Sequence, residues 1–191
     1  MDEIIIIFIL LLIILVGFKS ILHVPLSYAY VIERLGKYHK TAPAGINIII
    51  PLLDHVHKKI DLSEQTLKTA PQLVIAGDNK TLWYVADIRF HIVDPQKSTY
   101  EIVSIPTSLS YLTTTIVRDV MSKISSDNIS NSLNDINSQL SSIISEAAQK
   151  WGIAIDYTEL SIAKSTDNLE EPPQIENFND FENSNFIQEF K

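Results

Sequence analysis

Apolar residues run without a break over residues 4–18, and Ile21 and Leu22 extend the run past Lys19 and Ser20. From Val24 onward the pattern turns to alternation. Residues 27–33 put Tyr28, Tyr30 and Ile32 on one face and Ala29, Val31 and Glu33 on the other, the period of a strand. Leu35-Gly36-Lys37 and Pro43-Ala44-Gly45 read as turns, 46–50 as a short strand stopped by Pro51, and 56–62 and 67–75 as weaker strands. Gly77-Asp78-Asn79 is a further turn. The clearest strand is 82–93, with Tyr84, Ala86, Ile88, Phe90 and Ile92 on one face and Trp83, Val85, Asp87, Arg89 and His91 on the other.

The period then changes to that of helices. Leu109, Leu112, Ile116, Val117, Val120 and Ile124 form one apolar stripe. Ile129, Leu133, Ile136, Leu140, Ile143, Ala147 and Trp151 form a second, in a helix that Ser126 or Asp127 caps and Gly152 stops. Residues 153–162 alternate again as a last strand, with Ile153, Ile155, Tyr157 and Glu159 opposed to Ala154, Asp156, Thr158 and Leu160. The order is β, then α, then β, which predicts an α+β domain over residues 24–164.

The apolar N-terminus predicts a membrane anchor over residues 1–23. From Ile4 to Leu22 a helix is about 28 Å long at about 1.5 Å per residue, against a hydrocarbon core about 30 Å thick. Ile4, Ile7, Leu11, Ile14, Phe18 and Leu22 are the expected anchor residues. A cleaved signal peptide fits poorly, because the chain opens Met1-Asp2-Glu3 and has no Ala-x-Ala-like site. Basic residues follow the run (Lys19, Arg34, Lys37 and Lys40) and none precedes it, so the expected topology is single-pass with the domain in the cytoplasm.

Charge divides the 191 residues again. The net charge is −8, and the segment 165–191 holds seven carboxylates against Lys191 alone, or −6 of that total. Such a segment, stiffened by Glu170-Glu171-Pro172-Pro173, is expected to be a disordered acidic tail. Phe178, Phe181, Phe186 and Phe190 recur in it, as aromatics do that dock into a basic, apolar groove of a partner; a merely solubilising tail is the alternative. The acidic balance argues against nucleic acid as a partner.

Candidate chemistry is sparse. The chain has no cysteine, which removes disulfides, thiolate metal sites and a Cys nucleophile, and its five glycines are too scattered for a phosphate-binding loop. His55 and His57, two apart in a strand, point to one side and could serve as two metal ligands, but no third is evident in the sequence; two solvated histidines are the plainer reading. Asp87, Arg89 and His91 share a polar strand face, where a His–Asp pair would offer acid–base chemistry and a solvated face is the default. No catalytic residue, metal or cofactor is assigned, and a membrane-tethered hydrolase is the disfavoured alternative. Tyr28 and Tyr30, just past the anchor, are placed either at the lipid headgroups or in the sheet core. Arg34 and Lys37, with Lys40, either touch anionic headgroups or form a solvated loop.

Several segments resemble the SPFH (band 7, or PHB) domain of stomatin-like proteins. They are Val31-Ile32-Glu33-Arg34-Leu35-Gly36-Lys37-Tyr38; Pro43-Ala44-Gly45 with the strand up to Pro51; Ile60-Asp61-Leu62-Ser63-Glu64-Gln65, with Ser63 where the family has Arg; Asp78-Asn79; Val93-Asp94-Pro95 followed by Tyr100; Thr115-Ile116-Val117-Arg118; and Trp151-Gly152-Ile153. Each is weak alone; their order is specific. The resemblance implies a curved, mostly antiparallel sheet with packed helices, and a non-catalytic membrane scaffold or regulator that forms homo-oligomers and organises membrane partners. The alternative it leaves open is a monomeric or dimeric adaptor that recruits, through the acidic tail, a membrane protease or an NfeD-like OB-fold membrane protein. From Ser165 onward the sequence lacks the heptads of the family's usual coiled coil, so the expectation is a short member of the family.

Overall fold

The computed structural model describes residues 4–7, 10 and 19–164. The domain follows the order β1 (Ile21–Val24), β2 (Tyr28–Arg34), β3 (Lys37–Ala42), β4 (Gly45–Ile48), β5 (Asp54–Asp61), β6 (Gln65–Lys68), β7 (Gln72–Ile75), β8 (Thr81–Ile92), α1 (Pro95–Tyr100), α2 (Ile105–Met121), α3 (Ser126–Gln149) and β9 (Ile153–Lys164). The α+β order is as expected.

The one curved sheet is not. The strands form three ladders: β1 with β4, β3-β2-β5, and a larger sheet in which β8 pairs with β9 along one edge and with β6 and β7 along the other. All of these pairings are antiparallel. The break after β5 has a local cause: the Asp61 carboxylate accepts from both the amide and the hydroxyl of Ser63, at 2.9 and 2.7 Å, and turns the chain out of the ladder. The expected strand 67–75 is likewise two strands, because Pro71 has no amide to continue a ladder.

β2 is buried on both faces, since its side chains meet a different cluster on each side. Tyr30 and Ile32 pack with Val24 and Ala42, while Val31 packs with Ile60 and Ile92. Leu35 and Gly36 both take positive φ, 52° and 77°, which makes the β2–β3 connection the mirror-image turn that suits a twisted hairpin.

The main core lies between the inner face of β8 (Tyr84, Ala86, Ile88 and Phe90) and the two long helices. In α3 the buried stripe is Ile129, Ile136, Leu140, Ile144 and Ala148. This corrects the expected stripe in its last two turns: Ile143 is 45% exposed, whereas Ile144 is fully buried. The cap is also different, because Ser125 takes the N-cap position and Ser126 donates its hydroxyl to Asp78 at 2.6 Å. β9 changes phase midway. Arg89 pairs with Tyr157 and Phe90 with Ile155, so Asp156 is the extra residue of a β-bulge, and the inward set becomes Ile153 and Ile155, then Thr158 and Leu160.

Ile21 and Leu22 belong to the domain, not to the anchor. Leu22 pairs with Asn47 in the β1–β4 ladder and its side chain packs against the Tyr30 cluster, so the fold begins at Ile21 rather than at residue 24. Ile4–Ile7 and Leu10 are helical and exposed. Among the described residues no helix is long and apolar enough to cross a membrane. Leu11, Ile14 and Phe18 lie outside the described residues, as do Phe178, Phe181, Phe186 and Phe190.

Candidate functional site: a carboxylate–histidine–tyrosine cluster and an exposed apolar ladder

Four chemically versatile side chains, Glu33, His55, His57 and Tyr100, gather where β2, β5 and α1 meet. Glu33 of β2 stands directly opposite His55 of β5. Two residues on, the β2–β5 ladder slips: Ile32 pairs with Val56 and Val31 with Lys58, which leaves His57 as the extra residue of a bulge. Bulges re-aim side chains. Here both imidazoles converge on one carboxylate, with His55 Nε2 at 3.3 Å from Glu33 Oε2 and His57 Nδ1 at 3.2 Å from Glu33 Oε1. Glu33 itself is buried, at 9% exposure, which is uncommon for a glutamate without partners.

Tyr100 closes the cluster. Its hydroxyl donates to Glu33 Oε1 at 2.8 Å, and its ring stacks on His57 with centroids 5.7 Å apart and planes 11° from parallel. Tyr38 meets the same ring edge-on. Withdrawal from water, and then the bond to the Glu33 carboxylate, push the Tyr100 hydroxyl up to about 12. The tyrosine is placed by α1, whose start is fixed by Asp94. Its carboxylate accepts from the amides of Gln96 and Lys97, and Pro95 occupies the first turn. Gly152 holds this start in turn: its carbonyl accepts from the amides of Val93 and Asp94, and a Cβ on it would fall 2.6 Å from Asp94 at a φ of +71°.

Beside the cluster, Arg34 forks onto Asp54 through Nε at 2.6 Å and Nη2 at 3.1 Å, while the Ile50 amide donates to the same carboxylate at 2.8 Å. These bonds, the guanidinium first, hold the Asp54 carboxyl well below the usual carboxylate range.

A second feature lies on the β1–β4 ladder. Ile21 pairs with Ile48 and His23 with Ile46, so these four share a face. Ile21, Ile46 and Ile48 are 58%, 76% and 72% exposed. The turn after β4 adds exposed Ile50 and Leu52, at the end where Ser20 bonds the amide of Ile49 and where the chain arrives from its apolar N-terminus. Lys40 donates its ammonium to the Ile48 carbonyl at 2.8 Å and so sits at the edge of this patch.

The remaining candidates separate. Tyr30 fills the core and Tyr28 packs against it, so the sheet-core alternative describes Tyr30. Arg34 is engaged by Asp54, and Lys37 is exposed at the β2–β3 turn. His91 pairs with Asp156, Nδ1 to Oδ2 at 2.8 Å, and not with Asp87; the bulge at Asp156 brings it there. Asp87 stands 3.9 Å from Lys68, and burial, foremost, raises its carboxyl. Sequence reading found the two histidines but neither Glu33 nor Tyr100 as their neighbours, since both lay inside segments read only as motifs.

The fold, an antiparallel α+β domain whose motif residues meet around Glu33 and Tyr100, defines the class to which comparison then gives a family. The chain belongs to the SPFH domain / Band 7 family, whose model matches residues 22–176. It is 33% identical over 163 residues to an uncharacterized protein of Mycobacterium tuberculosis, covering 85% of this chain and 41% of the relative. An uncharacterized protein of Methanothermobacter thermautotrophicus is 32% identical over 152 residues, or 80% of this chain and 48% of the other. Human stomatin-like protein 2, mitochondrial, is 31% identical over 133 residues, or 70% and 37%. The chain spans less than half the length of these curated relatives.

Proposed function

We propose that this protein is a membrane-bound scaffold of the stomatin-like kind, acting by binding and self-association rather than by catalysis. The observation that carries the reading is the continuity of two apolar features. The uninterrupted apolar residues 4–18 lead, through Lys19 and Ser20, into a ladder whose outer face presents Ile21, Ile46 and Ile48 to solvent. An apolar patch of this kind is costly in water and fits the interfacial layer of a bilayer. Lys40 at its rim, with Lys37 near by in sequence, supplies charge for anionic headgroups.

In this reading the apolar N-terminal segment anchors the protein in the bilayer, and the basic residues that follow keep the domain on the cytoplasmic side. The domain then lies against the membrane by its β1–β4 face, so that neighbouring copies gather in one patch and many weak contacts add. The acidic segment with Phe178, Phe181, Phe186 and Phe190 recruits partners such as a membrane protease or an OB-fold membrane protein.

The test uses membranes from cells that express the full chain. Carbonate washing should leave the protein in the pellet, and protease added to intact cells should spare the domain. Release by carbonate would sink the spanning segment, and digestion from outside would reverse the topology. Deleting residues 165–191 should abolish partner capture while leaving membrane retention intact; unchanged capture would remove the tail from the account.

A further inference from the structure

We propose that Glu33, His55 and His57 form a binding site for a divalent transition-metal ion of the zinc class, with Tyr100 as the group that orients its carboxylate. The inference is independent of membrane attachment. It begins with geometry. One ligand atom from each residue can be chosen so that all three lie within 4.8 Å of one another. An ion bound at about 2.0–2.2 Å in a tetrahedral site sets its ligands roughly 3.3–3.6 Å apart. His55 Nε2 stands 3.3 Å from Glu33 Oε2 and His57 Nδ1 3.2 Å from Glu33 Oε1, each nitrogen–oxygen pair close to that spacing.

The donor set chooses the ion. Two imidazoles and one carboxylate suit zinc and its neighbours in the first transition row, whereas magnesium and calcium call for oxygen ligands throughout. Three protein ligands leave the fourth position to water, and the half-exposed histidines, at 57% and 42% of their side chains, leave a path for ion and water.

The surroundings are built for holding these ligands in place. Metal-binding side chains are commonly oriented by outer hydrogen bonds and packing. Here the Tyr100 hydroxyl fixes Glu33 Oε1, and the Tyr100 ring, stacked on His57, fixes the imidazole plane. The ligands stand on neighbouring strands of one ladder, and Ile32, beside Glu33, is fully buried. The bulge at His57 lies at the same point of the ladder. A plain pair of imidazolium–carboxylate contacts would use the same residues, so the test must read the ion itself.

The full chain, extracted in detergent and stripped with chelator, is titrated with Zn2+ and, separately, with Co2+. The expected result is one equivalent bound, with the intense visible bands of four-coordinate Co2+ that Zn2+ then bleaches, while excess Mg2+ and Ca2+ do not compete. His57→Ala and His55→Ala should each weaken binding more than about tenfold, and Tyr100→Phe about tenfold. His91→Ala, at the separate pair with Asp156, should leave it unchanged. Both histidine substitutions are at exposed positions, and circular dichroism of each variant checks the fold. Absence of a stoichiometric site, or a site that survives the double replacement of His55 and His57, would overturn the proposal.

Discussion

The Tyr100 hydroxyl, at the end of α1, donates to Glu33 Oε1 in the middle of the β-rich half at 2.8 Å, across 67 residues of sequence. This bond joins the Glu33-Arg34-Leu35-Gly36-Lys37 segment to the Val93-Asp94-Pro95…Tyr100 segment, two motifs that in sequence look unrelated. Tyr100→Phe leaves a buried carboxylate short of a donor and should cost about 1–2 kcal/mol of stability, measured by urea unfolding at neutral pH. The pH dependence has a definite sign. A hydroxyl raised from 10.0 to about 12 by folding favours the folded state fully below pH 10, and that contribution is lost as pH rises through about 12. The phenolate absorbance of the wild type minus that of Tyr100→Phe should therefore titrate near 12. A difference curve centred at 10 would mean the bond is absent in solution.

Asp54 gives the opposite sign. Its carboxyl is held low by Arg34 and the Ile50 amide, so its contribution is present above the unfolded value of 3.8 and is lost as pH falls below it. Asp54→Asn should cost about 2 kcal/mol at pH 7 through weakened charged hydrogen bonds. The gap to wild type should narrow progressively as pH falls below about 4, seen as converging thermal midpoints. A gap independent of pH would assign the loss to packing instead.

Much of this architecture is legible in the sequence where a period is local. The inward face of β8 is legible from Tyr84 to Ile92, because strict alternation over a long strand leaves one solution; Leu82 extends the same face. What escaped depends on partners far along the chain. The two-residue period through β9 gave the wrong face after Ile155, since the bulge at Asp156 is set by pairing with Arg89 and Phe90, not by its own neighbours. Glu33 and Tyr100 were legible as motif letters, but their meeting with His55 and His57 requires the β2–β5 register. Ile21 and Leu22 read as the end of the N-terminal apolar run because apolar character alone does not distinguish an anchor helix from a strand of the β1–β4 ladder.

The last turns of α3 offer a paired test of packing. Stepping by three or four from Leu140 reaches either Ile143 or Ile144; the expected stripe takes Ile143, whereas the structure buries Ile144 and leaves Ile143 45% exposed. Ile144→Ala should cost about 2–4 kcal/mol by removing atoms from a packed core, and Ile143→Ala under about 1 kcal/mol. Equal losses, or a larger one at Ile143, would rotate the helix relative to the sheet.

The central claim is that the β1–β4 face rests on the bilayer. Because the chain contains no cysteine, a single Ile48→Cys replacement can carry one environment-sensitive fluorophore at a unique position. In full-length protein reconstituted into vesicles of mixed neutral and anionic lipid, the account predicts a blue-shifted emission at position 48, quenched by spin-labelled lipid. The same label at Lys123→Cys, in the α2–α3 turn, should stay water-like and unquenched. Emission at position 48 as polar and as poorly quenched as at position 123 would contradict the account.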